Sequence, residues 1–160
     1  MPRADRPSPS RFPSEEILLK FFFFIPCFTI LNPAMIKALV VDDETDMEYL
    51  FRQKFRKEIR TGEFDFHFAF SGEEAITYLS ALNPVDIVLV LSDINMPGMS
   101  GFELLKIIKE RFSHLKVVMV TAYGDAENKE NSARLGADGF VNKPVNFDEL
   151  KTVISSLSIS

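Results

Sequence analysis

Asp93 stands in the run Leu91-Ser92-Asp93-Ile94-Asn95-Met96-Pro97-Gly98, directly after the apolar stretch Val85 to Leu91. A stretch so uniformly apolar suits a strand buried in the middle of a parallel sheet, and it carries the Asp93 carboxylate to the strand's mouth as a candidate nucleophile. Upstream, Ala38-Leu39-Val40-Val41 delivers a second acidic cluster, Asp42-Asp43-Glu44, to a matching strand end, and later strands finish near Thr121 and Lys143. Two acidic strand ends, a hydroxyl and an ammonium make a phosphoryl-transfer site. In such chemistry the protein mainly aligns the attacking oxygen and neutralises spread negative charge.

Three carboxylates in one small pocket repel one another, and their charged forms are disfavoured unless a cation is supplied. Two carboxylates and a main-chain carbonyl, with Asn95 as a candidate, leave room for water and a phosphoryl oxygen, an arrangement suited to Mg²⁺. Calcium would want more protein oxygens. Zinc would want His or Cys, which the cluster lacks. Taken singly each residue also has a plain explanation: Asp42-Asp43 as a helix cap, Asp93 as a loop cap, Thr121 as a strand former, Lys143 as an exposed lysine. Jointly, at matching ends of four strands, the plain explanations need four coincidences.

The elements that must position these residues follow from hydrophobic period. Ile36 to Val41 reads as a strand, and Asp46 to Ile59, with Met47, Leu50, Phe51, Phe55 and Ile59 on one stripe, reads as a single helix. Phe64, Phe66, Phe68 and Phe70 alternate with polar or small residues, giving a strand with a buried aromatic face. Gly72 to Leu82 and Gly101 to Phe112 read as helices either side of the Val85 to Leu91 strand. Val117 to Thr121 is a buried strand, Asp125 to Leu135 a helix ending at Gly136, Gly139 to Asn142 a short strand and Phe147 to Leu157 a closing helix. Five strand-helix units in succession imply an α/β fold with a parallel sheet covered on both faces, because each parallel return needs a crossover. In such sheets the ligand site lies beyond the carboxyl ends of the strands, where Asp42, Asp43, Asp93, Thr121 and Lys143 all fall.

Composition narrows the function classes. A chain of 160 residues, 46% hydrophobic with sixteen Phe, is long and apolar enough for one core. Its formal net charge of -5 argues against a phosphate-backbone binder, and the basic run from Arg52 to Lys57 reads as the solvated face of a helix. A single Cys, Cys27, excludes an internal disulfide and a Cys-based zinc site, which fits a reducing compartment, and the expected location is cytoplasmic. His67 and His114 receive no role, since no carboxylate cluster or phosphate motif surrounds them.

Residues 1–34 differ from the rest. Met1 to Ser14 is rich in Pro, Ser and Arg, as in a disordered arm, and the apolar patch Ile17 to Phe28 follows. That patch is too short for a spanning helix and is interrupted by Lys20 and Pro26; Glu15 and Glu16 stand where a secretory signal needs positive charge. The extension reads as a disordered or non-native appendage before a domain spanning residues 35–158. A hydrophobic docking or membrane-surface segment is the alternative.

The motifs Val40-Val41-Asp42-Asp43-Glu44, Ser92-Asp93-Ile94-Asn95-Met96-Pro97-Gly98, Val120-Thr121-Ala122-Tyr123-Gly124 and Gly139-Phe140-Val141-Asn142-Lys143-Pro144 together resemble a response regulator receiver domain, the phosphoacceptor half of two-component signalling, of the stand-alone single-domain type. The resemblance implies a doubly wound, flavodoxin-like (βα)5 sheet of strand order 2-1-3-4-5. It implies that Asp93 takes a phosphoryl group from a kinase phosphohistidine, that Asp43 and the Asn95 carbonyl ligate Mg²⁺ with Asp93, and that Asp42 holds a metal-bound water. Thr121 and Lys143 then bind phosphoryl oxygens, and a cis Lys143-Pro144 bond is expected. The implied partners are a sensor histidine kinase or histidine phosphotransfer protein and a downstream target, docked on the face of helix 4, strand 5 and helix 5, roughly Asp125 to Leu157. The chain stops after the fifth predicted helix, so output is expected through partners, with no enzymatic domain and no nucleic acid. A phosphorylation-independent interaction module is the alternative; a phosphoaspartate hydrolase ranks last, because haloacid dehalogenase-like enzymes carry a second Asp where this chain has Asn95.

Phosphorylation adds about -1.5 to -2 charge and strong acceptor oxygens, which should draw the Thr121 hydroxyl inward and vacate space behind it. In receivers an aromatic three residues before the lysine fills that space, and Phe140 holds this place, lacking the hydroxyl of the common Tyr. The position equally suits a permanently buried strand aromatic. Asn95 and Tyr123, two positions beyond Asp93 and Thr121, stand where receivers tune the access of hydrolytic water. Tyr123→Ala is expected to shorten the phosphorylated lifetime, measured as phosphate loss from purified protein; an unchanged or longer lifetime contradicts a shielding role.

Overall fold

A computed structural model describes residues 35–81, 87–122 and 126–157. The expectations for residues 1–34 and for Tyr123 lie outside the described residues. Five strands form one sheet: β1 (Ile36–Val41), β2 (Phe64–Ala69), β3 (Leu89–Asp93), β4 (Lys116–Ala122) and β5 (Gly139–Lys143). All neighbours are parallel, in the order β2-β1-β3-β4-β5, as expected from the sequence. Among the described residues six helices connect and follow them: α1 (Asp46–Lys54), α2 (Arg56–Thr61), α3 (Gly72–Ala81), α4 (Gly101–Arg111), α5 (Ala126–Arg134) and α6 (Phe147–Ser156).

Alternation along each strand builds two cores from one sheet. Leu39 and Val41 of β1, Val90 of β3 and Val117 and Met119 of β4 pack with Leu104, Leu105 and Ile108 of α4. Ala38 and Val40, Leu89 and Leu91, Val118 and Val141 point the other way, onto Phe51, Phe55, Leu150 and Ile154. Burial on both faces accounts for the apolar runs of the central strands, with polar residues gathering toward their carboxyl ends. Each fully buried Leu, Val or Phe contributes about 1.5–3 kcal/mol relative to exposure, and the two layers together hold the strand ends in place.

Two expectations are corrected. The helix predicted over Asp46 to Ile59 is two, α1 and α2, parted at Phe55, whose backbone leaves helical dihedrals at φ -100° and ψ 17°. Hydrogen bonds from Phe55 N–H to the Phe51 carbonyl and from Ile59 N–H to the Phe55 carbonyl, both 2.9 Å, persist across the break, so the path bends without ending. No Pro or Gly lies there; the break falls at a ring fully enclosed by Phe51, Phe64, Phe66 and Phe147. The aromatic face of β2 is also less buried than its alternation suggests. Phe66 is buried, Phe64 and Phe68 are half-buried, and Phe70 lies past the strand end and is exposed. The reason is topological, because β2 is an edge strand and only part of its outer flank is covered.

Polar groups finish the helix ends and staple the layers. Ser100 and Glu103 form a reciprocal capping box on α4, and the Asn146 side chain accepts from the N–H groups of Asp148 and Glu149 at the start of α6. Gly136 closes α5 at φ 88°, its N–H donating to the Ala133 carbonyl. Asp138 is the strongest staple: its carboxylate accepts from Lys109 of α4 at 2.6 Å, from Lys116 at 3.2 Å and from the Val117 N–H of β4 at 2.8 Å. Burial works against its charge, but these donors outweigh it and hold the carboxyl below its ordinary value of 3.8. Its contribution is therefore complete above that value and lost as pH falls through the lower folded one. Asp138→Asn should cost about 1–3 kcal/mol in urea unfolding near neutral pH, with the difference from wild type shrinking below about pH 4.

Candidate functional site

Register brings the chemistry to one edge. Val41 of β1 lies opposite Ser92 of β3, so Asp42 stands level with Asp93, and Asp93 in turn lies opposite Val120, one residue before Thr121. β1 and β3 are also the strands at which the order reverses, where open α/β sheets place their ligands. Lys143 ends β5, opposite Ala122, and its long side chain reaches across to the carboxylates.

The Lys143 ammonium donates to Asp93 Oδ2 at 2.8 Å and to Glu44 Oε1 at 3.3 Å, and lies 3.1 Å from Asp42 Oδ2. That last approach is an ion pair without hydrogen-bond alignment, which leaves Asp42 Oδ2 buried and unbonded. Asp42 Oδ1 accepts from the Glu44 N–H at 2.9 Å, closing a tight turn after β1. The cap position of α1 belongs to Thr45, so helix capping does not account for Asp42. Asp93 Oδ1 accepts from the Asn95 N–H at 3.3 Å. Burial pushes the Asp42 carboxyl above its ordinary value, with the Asp93 charge adding to it, against the Glu44 N–H and the Lys143 ammonium. For Lys143, burial alone would lower the ammonium, yet the Asp93 hydrogen bond and the nearby charges of Asp93 and Asp42 outweigh it and raise it, so the group stays protonated.

Asp42, Asp43 and Asp93 place carboxylate oxygens within 4.8 Å of one another, Asp42 and Asp93 buried and Asp43 exposed. Four carboxylates counting Glu44 face one ammonium, so the mouth carries excess negative charge. Hard oxygen donors, a charge excess and an unbonded Asp42 oxygen fit a hard divalent cation such as Mg²⁺.

Thr121 is fully buried on β4, its hydroxyl without a hydrogen-bond partner. Phe140 is 40% exposed, so the permanently buried reading of this aromatic is overturned. The cause is position: β5 is an edge strand, and the ring lies against Lys129 of α5 with the ammonium 5.2 Å from its centroid. The Lys143-Pro144 bond is cis, as expected. Asn95 is exposed, His114 is exposed, and His67 lies 3.5 Å from Asp65 on the β2 edge, away from the mouth. Sequence reasoning gave no role to Glu44, Lys129 or Asn142. Glu44 had a signal, since it follows the acidic pair directly, whereas the contact of Lys129 with Phe140 arises only from tertiary packing. Asn142, opposite Thr121 in register, also keeps a buried side-chain oxygen unbonded.

Beside Lys143 a cleft of about 600 Å³ opens between α1 and the start of α6, lined by Met47, Leu50, Lys54, Val145, Phe147 and Lys151. Among the described residues no helix is long and apolar enough to cross a membrane.

The sequence profile of the response regulator receiver domain family matches residues 38–155, and the chain belongs to that family. It is similar to the chemotaxis protein CheY-3 of Vibrio cholerae, 33% identical over 130 residues that cover 80% of this chain and 95% of the relative. It is likewise similar to the sporulation initiation phosphotransferase F of Bacillus subtilis, 34% identical over 124 residues, 74% of this chain and 90% of that one. The crystal structure of a response regulator receiver protein from Pseudomonas putida superposes with a TM-score of 0.67 at 26% identity, covering 78% of this chain and 98% of the other.

The mouth tolerates little change behind Asp93. Gly101, the first residue of α4, packs so close that a Cβ there would stand 2.0 Å from the Asp93 carbonyl oxygen and 2.7 Å from the Ile94 Cα. Both are backbone atoms and cannot step aside. Gly101→Ala should cost about 3 kcal/mol or more in chemical unfolding, or prevent accumulation of folded protein; wild-type stability in this variant contradicts the close approach.

Proposed function

We propose that this receiver takes a phosphoryl group on Asp93 from a histidine kinase or a histidine phosphotransfer protein and signals through phosphorylation-dependent docking or onward relay. The observation that carries the reading is the Lys143 ammonium drawn between Asp93 and Asp42, with Asp43 alongside, at the switch point of the sheet. An Asp93 carboxylate oxygen forms the new P–O bond as the donor's P–N bond breaks, its electron pair leaving with the imidazole nitrogen. Lys143 then exchanges part of its carboxylate contact for a phosphoryl oxygen, and the Thr121 hydroxyl supplies a directional donor to another. Asp43, Asp93 and the Asn95 carbonyl would hold Mg²⁺, with Asp42 holding a water of the ion. When bound, the ion neutralises charge on the phosphoryl oxygens and so stabilises a loose transition state.

A protein donor has to present its phosphohistidine at the mouth, and the cleft beside Lys143 offers apolar and basic contacts for it. The downstream target docks on α5, β5 and α6, where the state of Thr121 and Phe140 is displayed. Asn95 and Tyr123 set the lifetime. We assign the working compartment to the cytoplasm, and no separate enzymatic activity beyond self-phosphorylation and loss of the phosphoryl group, since Asn95 stands where an aspartate-based phosphatase needs a second acid.

Intact mass after incubation with acetyl phosphate and Mg²⁺ tests the reading. A single phosphoryl adduct is expected, absent in Asp93→Asn and absent after chelation. An adduct that persists in Asp93→Asn overturns the assignment. If no adduct accumulates, Mg²⁺-dependent beryllofluoride binding decides: its presence supports an acceptor site and its absence overturns one, and unchanged partner affinity in Asp93→Asn would favour a phosphorylation-independent module.

A further inference from the structure

We propose that Lys129 is a latch on Phe140: its ammonium, seated against the ring, holds the aromatic side chain outward and thereby sets how readily the phosphoryl site takes its ligand. The inference rests on the phosphoacceptor reading above and adds a positioning residue that acts through Phe140.

Three observations meet here. The ring is 40% exposed and Lys129 Nζ stands 5.2 Å from its centroid. Among the described residues that ammonium has no carboxylate partner, and it rests on the ring face. A phenylalanine has no hydroxyl with which to anchor itself, and the negative face of its ring is its only electrostatic handle. Second, the ring and Thr121 belong to one face of the sheet: Met119 pairs with Phe140 and Thr121 with Asn142, so Phe140 and Thr121 are diagonal neighbours across β4 and β5. Third, Thr121 Oγ1 is buried without a partner, and Asn142 Oδ1 opposite it is unbonded too. A hydroxyl in that condition gains a hydrogen bond by turning toward a phosphoryl oxygen, and its departure opens the space into which Phe140 can move.

Outward and inward rings are then two states whose balance both sites bias. Burial of the ring favours the inward state and the Lys129 contact opposes it. Linkage is reciprocal, so whatever holds Phe140 outward weakens the phosphoryl site by the factor through which ligand binding loosens the latch. A cation–π contact at a half-exposed site corresponds to a factor of about two to five. The direction separates the latch from simple electrostatics: removing a lysine charge by itself weakens anion binding, whereas removing the latch strengthens it.

The test is beryllofluoride affinity in Mg²⁺ for the full chain, as wild type, Lys129→Met and Lys129→Arg. The methionine keeps the apolar stem, and the arginine keeps the cation. Lys129→Met should bind about two- to five-fold tighter, with Lys129→Arg close to wild type. Because the chain has no Trp, Phe140→Trp provides a single fluorescent reporter, which should become more shielded from acrylamide when Lys129→Met is added, before any beryllofluoride. Equal or weaker binding in Lys129→Met, or unchanged shielding of the reporter, overturns the latch. Wild type that binds no beryllofluoride is a different failure, that of the phosphoacceptor reading, and removes the latch with it.

Discussion

Like charges forced together at the edge of a dry sheet are the constraint from which the rest of this structure follows. Asp42 and Asp93 are buried side by side at the ends of β1 and β3, and two carboxylates this close in a buried setting call for a counter-charge. Lys143 supplies it from across the mouth, at the end of β5. The arrangement works only if the strands end in step, which demands a parallel sheet with fixed register, which in turn demands apolar cover on both faces. Packing on this scale is what holds repelling groups at contact distance.

Rigidity and freedom are divided unevenly around that mouth. Behind Asp93 the main chain of β3 is pressed against Gly101, and the Asp138 carboxylate ties α4 to β4 and to the approach of β5. On the other side β5 is an edge strand, flanked by helices but paired on one side only, and it carries Lys143 and Phe140 on opposite faces. Lys143 therefore sits on the one strand of the site with an unpaired flank, while Asp93 sits on a strand paired on both sides.

Much of this was legible in the sequence because the relevant rules are local. Apolar runs, helix period and the turn residues placed the five strands in order, and acidic or basic residues at their carboxyl ends marked the site. The single helix expected over Asp46 to Ile59 failed at Phe55 because a helical stripe gives no sign that one of its rings will be trapped by three others from outside it, Phe64, Phe66 and Phe147. The buried face expected of Phe70, and the permanently buried alternative for Phe140, failed for a related reason. Alternation tells which face a side chain takes, but not whether that flank of the sheet is covered, and edge position belongs to the topology. The pairing of Lys129 with Phe140 depends on how α5 lies over β5, for which eleven residues of separation carry no pattern.

The aromatic cluster has a consequence for how the molecule is made. Phe51 and Phe55, from the first helical segment, lie against Phe66 of β2 and also against Phe147, at the head of α6. During synthesis from the amino end, the rings of α1 and β2 are therefore in place long before the residue that completes their enclosure has left the ribosome. One face of the sheet stays apolar and uncovered until α6 emerges, so this half of the core closes only once nearly the whole domain has been made.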